Sequence, residues 1–471
     1  MRYVSTRGES PPIGFAEAVL AGLAPDGGLY VPETVPDLRA ELEDWAGLDY
    51  RELAFEIMRR FCDVEPEALR ALIDEACADF AIPEVVRTVP VGELHVLELF
   101  HGPTLAFKDI ALQFLGRLFE RLLARAGRDL NILAATSGDT GSAAIAGVRG
   151  RPGIRIFVLY PRGRISPLQE RQMTTVLDAN VHNLAVEGTF DDCQRMLKGL
   201  LRDTALKDRL RLGAVNSVNW ARILAQIVYY VHAAFEVRRR TGGPRVRFAV
   251  PTGNFGDILA GWYAQRMGLP IARLVLATND NDILARFFRT GLYASGPVAR
   301  TLSPSMDIQA ASNFERYLHA RFGGDPAAVR AAMATFEREG ALRVPPGPDG
   351  AVDPLFTAGT ADTEATLAEI RRCVEDDGYC PDPHTAVGLA VARRRLDPDE
   401  PTIALATAHP AKFPEAVARA TEAPPPRHPT LERLHGMPTR ATAVPADIGA
   451  VRDYLEAHIP AEGAAAQGGG P

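Results

Sequence analysis

The 471-residue sequence carries 52 basic and 59 acidic side chains, a formal net charge of −7 and 46% apolar residues. That length is too great for one simple core, so two or three domains are expected, and the mixed, mildly acidic charge offers no basic stripe for a nucleic acid. Five cysteines fall at no disulfide or metal-ligand spacing and suit a reducing cytoplasm, and the longest apolar runs fall short of a membrane span.

Met1–Gly8 has no apolar core, so no signal peptide is expected. Residues 1–85 read as a mainly helical unit, with helical spacing over 15–23, 50–61 and 67–80 and a linker at 81–84. Residues 86–225 read as an α/β domain. Its most informative stretch is His101–Asp109, where Lys108 follows Phe107 after a Gly-Pro turn. Ile110, Leu112, Phe114, Leu115, Leu118 and Phe119 continue at helical spacing, with Asp109 in the first turn. A lysine held against a packed interior loses solvation that favours its ammonium form, and a neutral amine is what attacks an aldehyde. Alone, such a lysine is usually just solvated.

A strand at 131–135 leads into the loop Thr136–Ser142 and a helix over 143–148. The hydroxyls of Thr136, Ser137 and Thr140 and the loop's N–H groups suit an anion. Asp139 argues against a purely anion-binding role, and it could instead orient the loop or contact a cofactor ring. Strands at 154–159 and 182–186 alternate with helices over 166–177, 190–201 and 219–237. Arg222 on the last of these is either an anion ligand or a solvated charge.

Residues 226–455 read as a larger α/β domain. The strand at 246–250 feeds Pro251–Asp257 and a helix over 258–267. Gly253 and Gly256 let the backbone approach a phosphate, Asn254 adds a donor, and Asp257 is expected to cap the helix. No Walker lysine motif and no GxGxxG fingerprint accompany it, so a nucleotide is not favoured. A strand at 272–277 follows, then a Gly/Pro-rich stretch over 323–350 that predicts a peripheral insertion. The strand at 402–408 sets Thr407 at its carboxyl end, where a hydroxyl could bond a ring nitrogen. Ala423–Arg427 is a stiff connector, and 456–471 is expected to be a disordered tail. The scattered histidines and the lack of a clustered Cys/His pattern predict no metal. The alternation implies parallel sheets covered by helices, with ligands at the carboxyl ends of strands.

Taken in order, several segments resemble the threonine synthase family in its longer bacterial and fungal form. They are Tyr3–Gly8, His101–Gln113, Thr136–Ser142, Asn216–Arg222, Thr252–Asp257, Asn279–Ile283, Ser303–Ile308, Asn313–Glu315, His384–Gly388 and Thr407–Phe413. The resemblance covers residues 1 to 455. It implies a fold type II pyridoxal-phosphate enzyme with two parallel-sheet α/β domains plus the helical N-terminal unit. The implied reaction turns O-phospho-L-homoserine and water into L-threonine and phosphate by β,γ-elimination and hydration, the last step of threonine biosynthesis. Lys108 is similar to the family's Schiff-base lysine, and Gly253, Asn254, Phe255, Gly256 and Asp257 to its cofactor phosphate loop. Thr407 is similar to the partner of the pyridine nitrogen. Thr136, Ser137, Asp139, Thr140, Asn216, Ser217, Asn219 and Arg222 are expected to contact substrate, with Arg222 or Lys412 adding positive potential. Competing readings are a dehydratase or β-replacement enzyme of the same fold, a relative releasing 2-oxobutyrate, and a silent binding protein. A cytoplasmic monomer or homodimer is expected.

Overall fold

The computed structural model describes residues 1–214, 217–347 and 350–460. Its strands form two largely parallel sheets, and the chain divides into two compact units. Unit 1 holds Met1–Leu115 with Ser217–Glu432, and unit 2 holds Gly116–Asn216 with the chain from Arg433.

The six-stranded sheet of unit 1 runs in the order Phe356–Thr360, Ile271–Thr278, Val246–Pro251, Thr402–Ala406, Leu94–Glu98, Arg87–Val91. All neighbours pair in parallel except the last two strands. Every residue of Val246–Pro251 and Thr402–Ala406 is buried, which is why these strands read as largely apolar runs, interrupted only by Arg247 and Thr402. The register aligns Ala249 with Ala404, and Ala406 with Glu98. Three adjacent parallel strands therefore release three segments at their carboxyl ends: the 252–257 loop, Thr407–Phe413 and the stretch leading to Lys108.

Unit 2 carries a five-stranded, all-parallel sheet ordered Thr442–Pro445, Val181–Glu187, Ile154–Pro161, Leu130–Ala135, Leu212–Gly213. Leu133, Phe157, Leu184, Val444 and Leu455 share its core. The 136–142 loop leaves the carboxyl end of Leu130–Ala135.

Several expectations need correction. The N-terminal region has its helices at Phe15–Ala21, Tyr50–Met58 and Pro66–Cys77, but Arg2–Ser5, Ile13–Gly14 and Tyr30–Pro32 also form an antiparallel sheet. Strands of two to four residues are too short to show a period. The expected boundaries at 85/86 and 225/226 fall inside unit 1, because the Leu94–Glu98 strand pairs with Thr402–Ala406 instead of joining the sheet that follows it. Lys108 and the 252–257 loop thus belong to one unit. The 323–350 stretch contains the helix Pro326–Glu339, and its residues 348 and 349 lie outside the described residues. The final helix, Ile448–His458, runs into the expected tail, whose residues 461–471 lie outside the described residues. Among the described residues no helix is long and apolar enough to cross a membrane.

Candidate active site

Lys108 opens the helix Lys108–Ala126 and is 7% exposed. The turn before it is forced. Leu105 sits at φ 61°, a left-handed conformation unfavourable for a residue with a Cβ. A Cβ on Gly102 would lie 2.5 Å from that of Asp109. Two long-range bonds hold the turn: Phe107 N–H donates to the Thr407 carbonyl at 2.8 Å, and His409 N–H to the Leu105 carbonyl at 3.0 Å. Asp109, wholly buried, accepts from the Thr104 N–H at 2.8 Å and the Thr104 hydroxyl at 2.7 Å. Burial pushes its carboxyl up to about 6, against the opposing pull of the Thr104 bonds and of Lys412. Lys412 Nζ donates to the Thr104 carbonyl at 2.7 Å. Lys108 Nζ lies 3.4 Å from Ser305 Oγ and 5.6 Å from the Phe107 ring centroid.

The same Ser305 meets the glycine loop. A Cβ on Gly253 would stand 2.7 Å from the Ser305 carbonyl oxygen, so no side chain fits there. Phe255 takes φ 65° and starts the helix Gly256–Arg266 without any side-chain cap, leaving the first-turn N–H groups facing the loop. Its ring stacks on Phe288 at 5.9 Å and Phe356 at 6.1 Å, so Phe255 can offer a ligand only backbone. The Asn254 carbonyl is held by Asn313 N–H at 3.1 Å.

Asp257 does not cap this helix. Its carboxylate turns inward to accept from the Tyr229 hydroxyl at 2.6 Å and the Tyr230 hydroxyl at 2.9 Å. Burial pushes it up to about 6. The two tyrosines lie on a separate helix far back along the chain, which is why the local capping signal misleads.

Ser305 itself is fixed by a carboxylate-centred knot. Asp307 accepts from Asn279 Nδ2 at 2.8 Å, Asn281 Nδ2 at 3.1 Å, Thr301 Oγ1 at 2.6 Å and Thr301 N–H at 3.0 Å. Ser305 N–H donates to His384 Nε2 at 3.3 Å, and His384 Nδ1 meets Asp382 Oδ1 at 2.8 Å. Sequence reasoning singles out the segments around Ser305 and His384 but gives these residues no role, and it passes over Asp382. The signal for Asp382 is present: an Asp before Pro383 marks a helix start.

At the far strand end Thr407 is 7% exposed, and its N–H donates to Thr385 Oγ1 at 3.1 Å. Arg222, 5% exposed in the first turn of the helix Trp220–Thr241, has no partner for Nε or Nη1. Burial brings its guanidinium down to about 10. The neighbouring Ile223 lies 3.6 Å from the position of a Gly256 Cβ, which sets this turn beside the loop. Two unmatched donors on a buried cation are a deficit that an anion would satisfy.

Other expected contacts have structural tasks. Asn219 caps that helix through the Ala221 N–H at 3.1 Å and donates to the Val19 carbonyl at 2.8 Å. Ser217 Oγ pairs with Ser312 Oγ at 2.6 Å. Asn216 lies outside the described residues. In unit 2, Thr136 Oγ1 braces its own loop by accepting from Gly138 N–H at 3.0 Å and Gly141 N–H at 2.9 Å. Asp139 accepts from Gln169 Nε2 at 2.9 Å, which orients the loop, while Ser137 and Thr140 are half-buried. Among the described residues no group of three or more His, Cys, Asp or Glu could hold a metal ion.

Three family models match the chain: "Threonine synthase N terminus" over residues 2–77, "Pyridoxal-phosphate dependent enzyme" over 83–352 and "Threonine synthase, C-terminal" over 385–455. The threonine synthase of Pseudomonas aeruginosa is 45% identical over 97% of this chain and 98% of its own length. That of Saccharomyces cerevisiae is 46% identical over 89% and 88%. The crystal structure of pyridoxal-phosphate-bound threonine synthase from Brucella melitensis matches with a TM-score of 0.94 and 45% identity, covering 98% of this chain and 100% of that one.

Proposed function

This chain belongs to the threonine synthase family, and from that premise we propose how its residues carry out the conversion of O-phospho-L-homoserine and water into L-threonine and phosphate. It is a pyridoxal-phosphate-dependent lyase acting on a small-molecule substrate. The observation that carries the site assignment is the position of Ser305. Its hydroxyl faces Lys108 Nζ while its carbonyl fills the space above Gly253. One small cofactor can therefore reach both the amine and the glycine loop.

The residues fit that cofactor. Lys108 would bear it covalently, and Gly253, Asn254, Phe255, Gly256 and Asp257 would cradle its phosphate through backbone N–H groups. Gly253 supplies the room, and the uncapped first turn of Gly256–Arg266 supplies the donors. Thr407 would bond the ring nitrogen with a neutral hydroxyl. When bound, the cofactor supplies an electron sink for negative charge arising at the substrate's Cα and Cβ.

Lys108 Nζ would serve as the base that moves protons at the reacting carbons. Cα and Cβ each lose a proton, and the Cγ–O bond breaks as phosphate leaves. Cγ then gains a proton, water delivers hydroxyl to Cβ, and Cα is reprotonated. Ser305 Oγ, 3.4 Å from Lys108 Nζ, would accept from the protonated lysine and orient it. Arg222 would bind an anionic group through Nε and Nη1. Ser217 is proposed as a further substrate contact in unit 1, and the substrate roles proposed for Thr136, Ser137, Asp139, Thr140 and Asn216 of unit 2 rest on the family resemblance. Asn219 orients the first turn that carries Arg222. Lys412 steadies the turn before Lys108 through the Thr104 carbonyl.

Incubation with O-phospho-L-homoserine should release one phosphate per threonine formed. Release of 2-oxobutyrate in its place, or turnover of threonine without phosphohomoserine turnover, would reject the reading. We further propose a cytoplasmic location, which five free thiols suit, and a monomer or homodimer that binds no nucleic acid, which the net charge of −7 suits. Light scattering on the eluted holoenzyme reports the assembly, and a tetramer would contradict it.

A further inference from the structure

We propose that Asp382, outside the contacts assigned above, is a positioning residue that orients both ends of the cofactor site at once. It has two arms. On one, Asp382 Oδ1 accepts from His384 Nδ1 at 2.8 Å, and His384 Nε2 accepts from the Ser305 N–H at 3.3 Å. Ser305 Oγ lies 3.4 Å from Lys108 Nζ. On the other, Asp382 Oδ2 accepts from the Thr385 hydroxyl, and Thr385 Oγ1 accepts from the Thr407 N–H at 3.1 Å. One carboxylate thus reaches toward the lysine through a histidine and toward the ring-nitrogen partner through a threonine.

The polarity of both arms is dictated by donors that cannot reverse. A backbone N–H only donates, so His384 Nε2 must present its lone pair to Ser305, and the proton sits on Nδ1 facing Asp382. Thr385 Oγ1 accepts from the Thr407 N–H with one lone pair and donates its proton to Asp382 Oδ2. Only an acceptor at both oxygens completes the pattern. Asp382, wholly buried, also accepts from the His384 N–H at 2.9 Å and the Thr385 N–H at 3.3 Å as the cap of the helix Pro383–Arg393. His384 is 4% exposed and packs edge-on against Phe413 at 5.0 Å, which locks its ring. Such outer groups fix the rotamers of the residues that touch the ligand.

Asp382→Asn separates positioning from capping. Asparagine caps a helix about as well as aspartate, so the helix start survives with one of its two capping bonds. Its amide cannot accept at both positions: turned one way its nitrogen opposes the His384 Nδ1–H, and turned the other it opposes the Thr385 N–H and takes away the acceptor of the Thr385 hydroxyl. Asp325→Asn is the control. It caps the helix Pro326–Glu339, also with a proline in the first turn, by accepting from Ala327 N–H at 2.8 Å.

The inference rests on Lys108 and Thr407 being cofactor contacts. Lys108→Ala tests that reading separately, through loss of the borohydride-trapped cofactor. In the holoenzymes, Asp382→Asn should change the visible circular dichroism of the bound cofactor and weaken its affinity for apoenzyme. It should also lower kcat roughly 10- to 100-fold with KM changed far less. Asp325→Asn should do none of these. His384→Gln, whose amide oxygen can still accept from Ser305, should keep the parent's dichroism, whereas His384→Phe should lose it. If Asp382→Asn does not accumulate as folded holoenzyme, the His384 pair decides on the same readouts. An Asp382→Asn enzyme with unaltered dichroism and cofactor affinity overturns the proposal, even if its activity falls. If Lys108→Ala still traps cofactor, the site reading itself has failed.

Discussion

Phe107 donates its N–H to the carbonyl of Thr407 at 2.8 Å, so the residue before Lys108 is tied to the end of the strand Thr402–Ala406. Ala106 and Ala408 form an isolated antiparallel bridge around that bond. Lys108 and Thr407, both proposed as cofactor contacts, are thus tied together by backbone geometry.

Because the Thr407 N–H and carbonyl both serve the backbone framework, its hydroxyl can be removed without dismantling the turn. Thr407→Val should fold with the parent's thermal stability. Losing a bond to a buried partner costs about 1–3 kcal/mol, so kcat/KM should fall roughly 5- to 150-fold. Steady-state kinetics beside a melting curve check this. Full activity in the valine enzyme would remove Thr407 from the site.

Gly253→Ala places a methyl 2.7 Å from the Ser305 carbonyl oxygen, a backbone atom that cannot swing aside. Overpacking of this kind costs about 1–3 kcal/mol, and here the displaced segments are those proposed to cradle phosphate. Titrating apoenzyme with pyridoxal phosphate should show affinity weakened at least about tenfold. Unchanged affinity would mean that the loop lies away from the phosphate.

Arg222 is a buried cation with unmatched donors, so removing its charge should relieve the apoenzyme. Replacing a poorly paired buried ion by an apolar side chain of similar length is often neutral or stabilising. Arg222→Met should therefore match or exceed the parent in apoenzyme unfolding midpoint. Its kcat/KM for phosphohomoserine should drop roughly 10- to 150-fold, the worth of a charge-assisted bond. A destabilised apoenzyme with normal kcat/KM would mark Arg222 as purely structural.

Asp109 and Asp257 both have carboxyls pushed up to about 6 by burial, above the 3.8 of a solvated aspartate. Between those values the folded state holds more protons than the unfolded chain. Their contribution to stability is therefore largest at the acid end and is lost as pH rises through about 6. This is opposite in sign to the usual salt-bridged carboxylate. Asp257→Asn should flatten half of that dependence. Oδ1 can still accept from both tyrosines, and an amide nitrogen would replace the unpartnered Oδ2. In urea unfolding of the apoenzyme near pH 7 it should be at least as stable as the parent, with a gain of no more than about 3 kcal/mol. A clear loss of stability there would show that the ionised form is favoured.

Much of this is legible locally. The strands at 131–135 and 246–250, the helix opening at Lys108 and the glycine loop each declare themselves within a few residues through burial period, turn chemistry and the missing Cβ. Ser305, His384 and Asp382 do not, because their work is done through contacts with one another. Asp257 misleads for the same reason: an acid at a helix start signals a cap, and only its distant neighbours Tyr229 and Tyr230 draw it inward.

What the amino-acid sequence determined by itself was the set of pieces: which runs are strands and helices, which lysine stands at a helix start, and which glycines permit close approach. Side-chain period and backbone sterics act over a few residues, so they can be read along the chain. The tertiary structure alone decided which pieces share a sheet. It placed Leu94–Glu98 beside Thr402–Ala406 and Thr402–Ala406 beside Val246–Pro251, gathering Lys108, Thr407 and the glycine loop at one strand end. Strand pairing is a long-range choice made by whole buried faces, and no local pattern along the chain encodes it.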